Sequence, residues 1–225
     1  MAHVGESVGR HYRGELGEEY FDWQGSGADV NAAIESTKFA PHVSPTDTVV
    51  DFGCGAGALL AKLRIGEGVG VEPNPPARGA AKARGVRVVA STGELEDAMA
   101  DVVISNHALE HTLAPLSELR ELLRVLKPGG RLVLWLPLDD WRTQRHSSDE
   151  DVNHHLYTWT PLLLHNLLDE AGFEVRECRV VTHAWPRFHQ TLFRRLPRPA
   201  FDLLARMWAV LRRRRQVMAL AQRPT

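Results

Sequence analysis

Between about Thr46 and Val181, short apolar runs alternate with stretches whose apolar residues recur at three- and four-residue spacing. Short β-branched runs predict buried strands, and the longer spacing predicts amphipathic helices. Thr48-Val49-Val50-Asp51-Phe52 reads as the first strand; it ends at glycines, and Ala58 to Leu63 reads as the helix that follows. Gly68 to Val71 is the second strand, stopped at Glu72-Pro73-Asn74-Pro75-Pro76, where proline bars a strand and suits the first turn of a helix. Val86 to Ala90, Asp101 to Ser105 and Arg131 to Leu136 are the third to fifth strands, and their apolar character on both faces predicts that all three are central. Between the last two, Leu116, Leu119, Leu122, Leu123 and Leu126 lie at helical spacing, and Lys127-Pro128-Gly129-Gly130 ends that helix. A helix from Thr160-Pro161 through Glu170, closed by Gly172, precedes a sixth strand at Phe173 to Val181, and Gln216 to Gln222 is a candidate seventh. This alternation predicts a doubly wound, Rossmann-like α/β fold: a seven-stranded, mostly parallel sheet with helices on both faces and right-handed crossovers.

Residues 1–45 read as helical, most clearly Ala28 to Ala40, and form a cap on the core at 46–181; residues 182–225 form a C-terminal extension. The whole stretch 1–225 is the size of one domain with one hydrophobic core. Hydrophobic residues at 44% and charged residues at 24% exclude disordered and collagen-like chains, and with two cysteines also a disulfide scaffold. A formal net charge of -1 supplies no global field for nucleic acid, so RNA and DNA are not expected substrates. Cys54 and Cys178 lie far apart without metal-ligand spacing, which fits a thiol-reducing cytoplasmic setting. The first twenty residues lack the apolar core of a signal peptide, and no run of ~18 apolar residues predicts a transmembrane segment.

Asp51-Phe52-Gly53-Cys54-Gly55-Ala56-Gly57 places three glycines in a strand-to-helix turn, where missing side chains let backbone approach a ligand and adopt positive φ. Gly53, Gly55 and Ala58 also satisfy the dinucleotide fingerprint, and Glu72 at the end of the next strand suits ribose hydroxyls in either case. A turn that serves only packing is the plain alternative.

The rest of the chain separates the two cofactors. VVDFGCGAG, GVEPN, DVVISNHALEH and LRVLKPGGRLVLWLP, in that order, resemble the successive motifs of class I S-adenosylmethionine-dependent methyltransferases. The resemblance implies that Asp51, Gly53 and Gly55 surround the methionine part, with Gly57 also among the cofactor-binding residues, that Glu72 grips the ribose, and that Asn106 and His107 lie beside the sulfonium. Adenine falls near Ser91-Thr92. Many relatives carry Asp where Ser91 stands, and Thr92 or Glu94 is the substitute here. GELGEEYFDWQ, NHHLYTWTP and HAWPRFHQ further resemble segments of bacterial O-methyltransferases of polysaccharide and O-antigen assembly, the methylated-mannoside type among them, which implies a sugar hydroxyl as acceptor.

Tyr20, Trp23, Tyr157, Trp159 and Trp185 offer as a group apolar platforms with polar handles for a sugar, although each taken alone reads as core before platform. Methyl transfer is a displacement at carbon that needs the acceptor oxygen, methyl and sulfur in line. A sugar hydroxyl stays protonated at neutral pH, so a general base is required, and histidine's intrinsic pKa near ~6.5 suits it. Of eleven histidines, His154 and His155 lie in the long polar loop after the fifth strand, while Glu110 and His111 follow the fourth. His154 or His155 is the first choice, with His111 and Glu110 next. Asp149, Asp151, Asn153 and the neighbouring histidines have the chemistry to hold Mg²⁺, without a diagnostic spacing. Pro199 to Val210 with Leu211 and Arg212-Arg213-Arg214-Arg215 reads as a helix packed on the domain or on a second copy in a homodimer, or as one in peripheral contact with a membrane. The expectation is O-methylation of a glycan; a small non-sugar metabolite, a nicotinamide-dependent oxidoreductase and a catalytically silent paralogue are the competing readings.

Overall fold

The computed structural model describes residues 8–12, 14–24, 27–139, 144, 146–148 and 151–225; of residues 10, 23 and 24 only the backbone is described. The strands are β1 (Thr48–Phe52), β2 (Glu67–Val71), β3 (Arg87–Val89), β4 (Ala100–Asn106), β5 (Leu126–Pro137), β6 (Glu174–Thr182) and β7 (Arg215–Gln222). They form one sheet in the order β3-β2-β1-β4-β5-β7-β6. The pairs from β3 to β5 are parallel, and β7 runs antiparallel to both β5 and β6. The helices among the described residues are α1 (Gly14–Gln24), α2 (Ala28–Phe39), α3 (Pro75–Ala83), α4 (Pro115–Val125), α5 (Pro161–Ala171), α6 (His189–Arg195) and α7 (Arg198–Leu211).

The uniformly apolar strands resolve into two cores because successive side chains point to opposite faces. Val50, Val103, Leu132 and Leu134 pack with Leu119 and Leu122 of α4 and Leu164 and Leu168 of α5. The alternate positions Val49, Val102, Ile104, Val133 and Trp135 pack with Phe39 of α2 and Leu60. Each fully buried leucine or phenylalanine stabilises this arrangement by roughly 1.5–3 kcal/mol. Local signals place the helix ends. Thr160 Oγ1 accepts from Leu163 N at 3.2 Å to open α5, and Gly172, at φ 100°, closes it.

Three expectations need correction. Ala58–Leu63 holds only a 3₁₀ turn at Leu60–Lys62. Gly66 and Glu67 already bond back to Asp47 O at 3.0 and 3.2 Å, so the segment is too short to nucleate an α-helix. Second, the third strand is not central; β3 is an edge of three residues, and Val88 owes its burial to Cys54 and Ala81 of α3. Third, Lys127-Pro128-Gly129-Gly130 lies inside β5, which starts where α4 stops; a register irregularity between Ala100 and Val102 absorbs it. The short helix α6 carries no periodic signal and was not expected.

Among the described residues no helix is long and apolar enough to cross a membrane. Helix α7 buries Phe201 and Ala209 and leaves Leu203, Met207, Val210 and Leu211 exposed. The parallel strands bring their carboxyl ends to one edge of the sheet, where the loops after β1, β2, β3, β4 and β5 surround a crevice.

Candidate active site

That crevice is a cleft of about 1660 Å³. At one end the chain leaves β1 through the glycine turn. Gly53 and Cys54 donate their N–H groups to Val71 O at 2.9 and 3.1 Å, which pins the turn to β2. Gly53 has φ 79°, and a Cβ there would lie 2.3 Å from Ala108 Cβ, so backbone passes where a side chain cannot. Gly55, at φ 52°, lines the cleft, and a Cβ there would meet nothing within 4 Å. Gly57 is different. It is buried against Val86 and Ala81 and is not among the residues lining the cleft.

Glu72 lines the cleft just beyond β2. Its Oε2 accepts from Gly55 N at 2.9 Å and its Oε1 from Asn74 N at 2.8 Å, leaving further lone pairs for vicinal hydroxyls. Burial raises its pKa, opposed by those two amides. Asp51 is buried beneath the turn with Oδ2 lacking any hydrogen-bond partner. Burial first, and the charge of Glu72 second, push its carboxyl up to about 7. Thr92 Oγ1 donates to Glu118 Oε2 at 3.2 Å, and both residues line the cleft. Glu94 caps its own 3₁₀ turn, accepting from Ala90 N and Ser91 N at 3.0 and 3.1 Å, and is not among the cleft-lining residues. Vicinal-diol, amine and ammonium partners are what this set of carboxylates and open backbone calls for, and it fits S-adenosylmethionine. Glu118 escaped sequence reading because it sits on the polar side of a leucine-patterned helix.

Asn106 and His107 also line the cleft. Asn106 Oδ1 accepts from Lys38 Nζ at 3.2 Å, and His107, at φ 56°, donates its N–H to Trp135 O at 2.8 Å. Lys38 is itself buried, ion-paired with Glu35, bonded to Gln216 Oε1 at 3.0 Å, and 4.9 Å above the Trp135 ring. Burial, then the Lys38 charge, hold the His107 imidazole well below its usual range.

Beyond His107 stands a cluster of imidazoles and carboxylates. Glu110 and His111 share the 3₁₀ turn Leu109–His111. Glu110 is 0% exposed and neither carboxylate oxygen has a hydrogen-bond partner. Its Oε1 lies 3.6 Å from His107 Nδ1 and 4.0 Å from His111 Nε2. Burial pushes its carboxyl up to about 8, and burial with the neighbouring His155 and His107 brings His111 down to about 3. His155 lines the cleft with Nδ1 2.9 Å from Asp139 Oδ2. Burial lowers its pKa, but the Asp139 hydrogen bond and the charges of Glu110, Asp139 and Asp151 outweigh that and raise it. Tyr12 brings its hydroxyl to His111 Nδ1 at 2.5 Å.

Of the two loop histidines, only His155 is in this cluster. His154 is exposed, at φ 48°, stacked on His11 with ring centroids 4.6 Å apart, and is not a cleft-lining residue. Tyr20, Tyr157 and Trp185 line the cleft, whereas Trp159 is buried in the core. The side chain of Trp23, and Asp149 altogether, lie outside the described residues. Asp151 and Asn153 line the cleft, but the residues that converge with metal-ligand spacing, among those described, are Glu110, His111 and His155. The arginines Arg212 to Arg215 reach the cleft wall with Trp208. Tyr12, Lys38 and Asp139 were invisible as site residues, since only the fold brings their partners to them.

A family model described as a methyltransferase domain matches residues 27–178. The ribosomal protein L11 methyltransferase of Cupriavidus taiwanensis is 32% identical over 129 residues, covering 46% of this chain and 42% of that protein. An uncharacterized methyltransferase of Mycobacterium sp. (strain KMS) is 35% identical over 120 residues, covering 49% of this chain and 48% of that protein. The chain thus spans less than half the length of these curated relatives. Among solved structures, a chain of the Haloferax volcanii complex between the Trm112 methyltransferase activator and a methyltransferase gives a TM-score of 0.64 at 20% identity, covering 92% of this chain and 98% of that one. Haemonchus contortus phosphoethanolamine N-methyltransferase 2, solved with S-adenosyl-L-methionine, gives 0.61 at 16% identity, covering 99% of this chain and 61% of that one. These structural likenesses are of fold. With a family model matching more than half of it, over the glycine turn, Glu72 and the Asn106–His111 edge, the chain belongs to the methyltransferase-domain family of class I S-adenosylmethionine-dependent enzymes.

Proposed function

We propose that the protein catalyses histidine-assisted methylation of a carbohydrate hydroxyl in glycan or polysaccharide biosynthesis, in the reducing cytoplasm where Cys54 and Cys178 stay free. Asp51, Gly53, Gly55, Glu72 and Thr92 are the residues that would hold S-adenosylmethionine, with Asn106 and His107 at the reacting edge and Glu118 beside Thr92. Bound there, the cofactor supplies an electrophilic methyl group. The chain's own part is to orient the acceptor, exclude water and make its oxygen nucleophilic.

The observation that carries the acceptor reading is the wall beyond His107. Glu110, His111 and His155 stand together there, with Asp139 bonded to His155, and Tyr20, Tyr157 and Trp185 on the same cleft. Aromatic faces with polar tips suit a sugar, and the imidazole–carboxylate cluster eases removal of a hydroxyl proton that an amine acceptor would not need removed in this way. Gly53, Gly55 and Glu72 alone would also accept a nicotinamide dinucleotide; family membership favours the methyl donor.

Calorimetry with S-adenosylhomocysteine and NAD tests the cofactor, and turnover on a glycan panel beside a panel of small hydroxylated metabolites tests the acceptor. Binding of S-adenosylhomocysteine with methylated glycan as product is the expected result. Product from the metabolites alone would remove the carbohydrate part, and NAD binding in place of S-adenosylhomocysteine would remove the reaction.

A further inference from the structure

Glu110 is fully buried, yet both of its carboxyl oxygens lack the hydrogen-bond partner that a buried polar group requires. No lysine or arginine among the described residues is within ion-pair distance of it; imidazole nitrogens are its neighbours.

The hydrogen bonds around those imidazoles fix their tautomers. Tyr12 Oη has a single proton, and it points to the carbonyl of Asn153 at 2.5 Å, an acceptor that can return nothing. The contact between Tyr12 Oη and His111 Nδ1 therefore has the imidazole as donor, with the proton on Nδ1 and a lone pair on Nε2, 4.0 Å from Glu110 Oε1. The same holds for His155. Its Nδ1 donates to the Asp139 carboxylate at 2.9 Å, so in the neutral imidazole the lone pair is on Nε2. One ligand atom from each of Glu110, His111 and His155 lies within 4.8 Å of the others. Each imidazole is held at Nδ1 by an oxygen, which is how metal-binding histidines are oriented, and the free nitrogen of each is the one left for an ion shared with Glu110.

We propose that Glu110, His111 and His155 bind a divalent transition-metal ion, with Tyr12 and Asp139 as positioning residues. Imidazole ligands favour zinc, copper, iron or nickel over the harder magnesium ion, and two nitrogens with one carboxylate leave coordination positions free for other ligands. The site differs from the Asp149, Asp151 and Asn153 set suggested by the loop sequence. Its role rests on the acceptor reading above: with an ion bound, Glu110, His111 and His155 would act by making a coordinated sugar hydroxyl more acidic, its proton passing to cleft water, in place of a free imidazole as base.

The test uses the full chain, stripped with chelator and dialysed, then titrated with Zn²⁺ by calorimetry and with Co²⁺ by visible absorption. One ion per chain is expected, with a d–d band showing nitrogen and oxygen ligation. Glu110→Gln and His155→Ala should each weaken Zn²⁺ binding by at least ~100-fold, and Asp139→Asn by ~10-fold or more, with S-adenosylhomocysteine affinity unchanged as evidence of an intact fold. His154→Ala should bind metal as the parent does. Because Glu110 is fully buried and its substitution also perturbs the core, His155→Ala on the exposed loop carries the decision. Wild-type affinity for Zn²⁺ in His155→Ala, or no stoichiometric binding by the parent chain, overturns the site. Stoichiometric binding lost in His155→Ala upholds it, even in a protein that methylates no glycan, where only the acceptor reading fails.

Discussion

The two ends of the cleft are built by opposite means. At the cofactor end, Gly53, Gly55, Glu72 and Thr92 each sit just beyond the end of a parallel strand, and Glu72 is fixed by the backbone amides of Gly55 and Asn74. At the acceptor end, contacts run between side chains far apart in the chain, Tyr12 to His111 across 99 positions and His155 to Asp139 across a loop. A backbone-made site follows from the fold; a side-chain site on loops can be rebuilt without disturbing the sheet. The same sheet edge therefore holds one ligand constant and leaves the other free to change.

The largest expected effect tests the independence of the two ends. His155→Ala should lower kcat by about 100-fold or more, as for loss of a group that activates the acceptor, while S-adenosylhomocysteine affinity moves by less than about threefold. A parallel fall in cofactor affinity would show that the ends are one unit. Glu72→Ala should do the converse, weakening S-adenosylhomocysteine by roughly 10–100-fold through lost charge-assisted hydrogen bonds, as read by calorimetry. Unchanged affinity there would break the cofactor assignment.

A smaller effect concerns pH and the buried carboxyl of Asp51. Its raised pKa, about 7, means that the folded state favours the protonated form. The stability it contributes is complete below the ordinary carboxylate range near ~4 and is lost as pH rises through 7. The ligand-free protein should melt at a lower temperature at pH 8 than at pH 5, and Asp51→Asn should flatten part of that decline; equal slopes would place the effect elsewhere. Smallest is His154→Ala, expected to change turnover by less than about twofold, as for a surface position without critical partners. A large loss would move the acceptor site outward, to the His11–His154 stack.

The sheet was legible because its strands are apolar on both faces and its helices carry spaced leucines. The edge position of β3 was not, since Cys54 and Ala81 bury Val88 as thoroughly as a flanking strand would. Gly53 and Gly55 could be read because positive φ leaves a mark on sequence. Gly57 carries the same mark for a different reason, packing against Val86 and Ala81. His155 and His154 are neighbours in the chain and were inseparable there. The left-handed backbone at His154 turns one ring onto His11 while its neighbour meets Asp139. Lys38 gave no sign of its place, because a lysine on a helix reads as solvated until the partners that accept its charge are known.

That lysine constrains how molecules reach the cleft. Its ammonium ties α2 to Asn106, Gln216 and the Trp135 ring at once, so swinging the helix outward would break all three contacts together. A label on α2 should then stay still through a catalytic cycle, while one near the exposed, cleft-lining Tyr157 reports each arrival and departure.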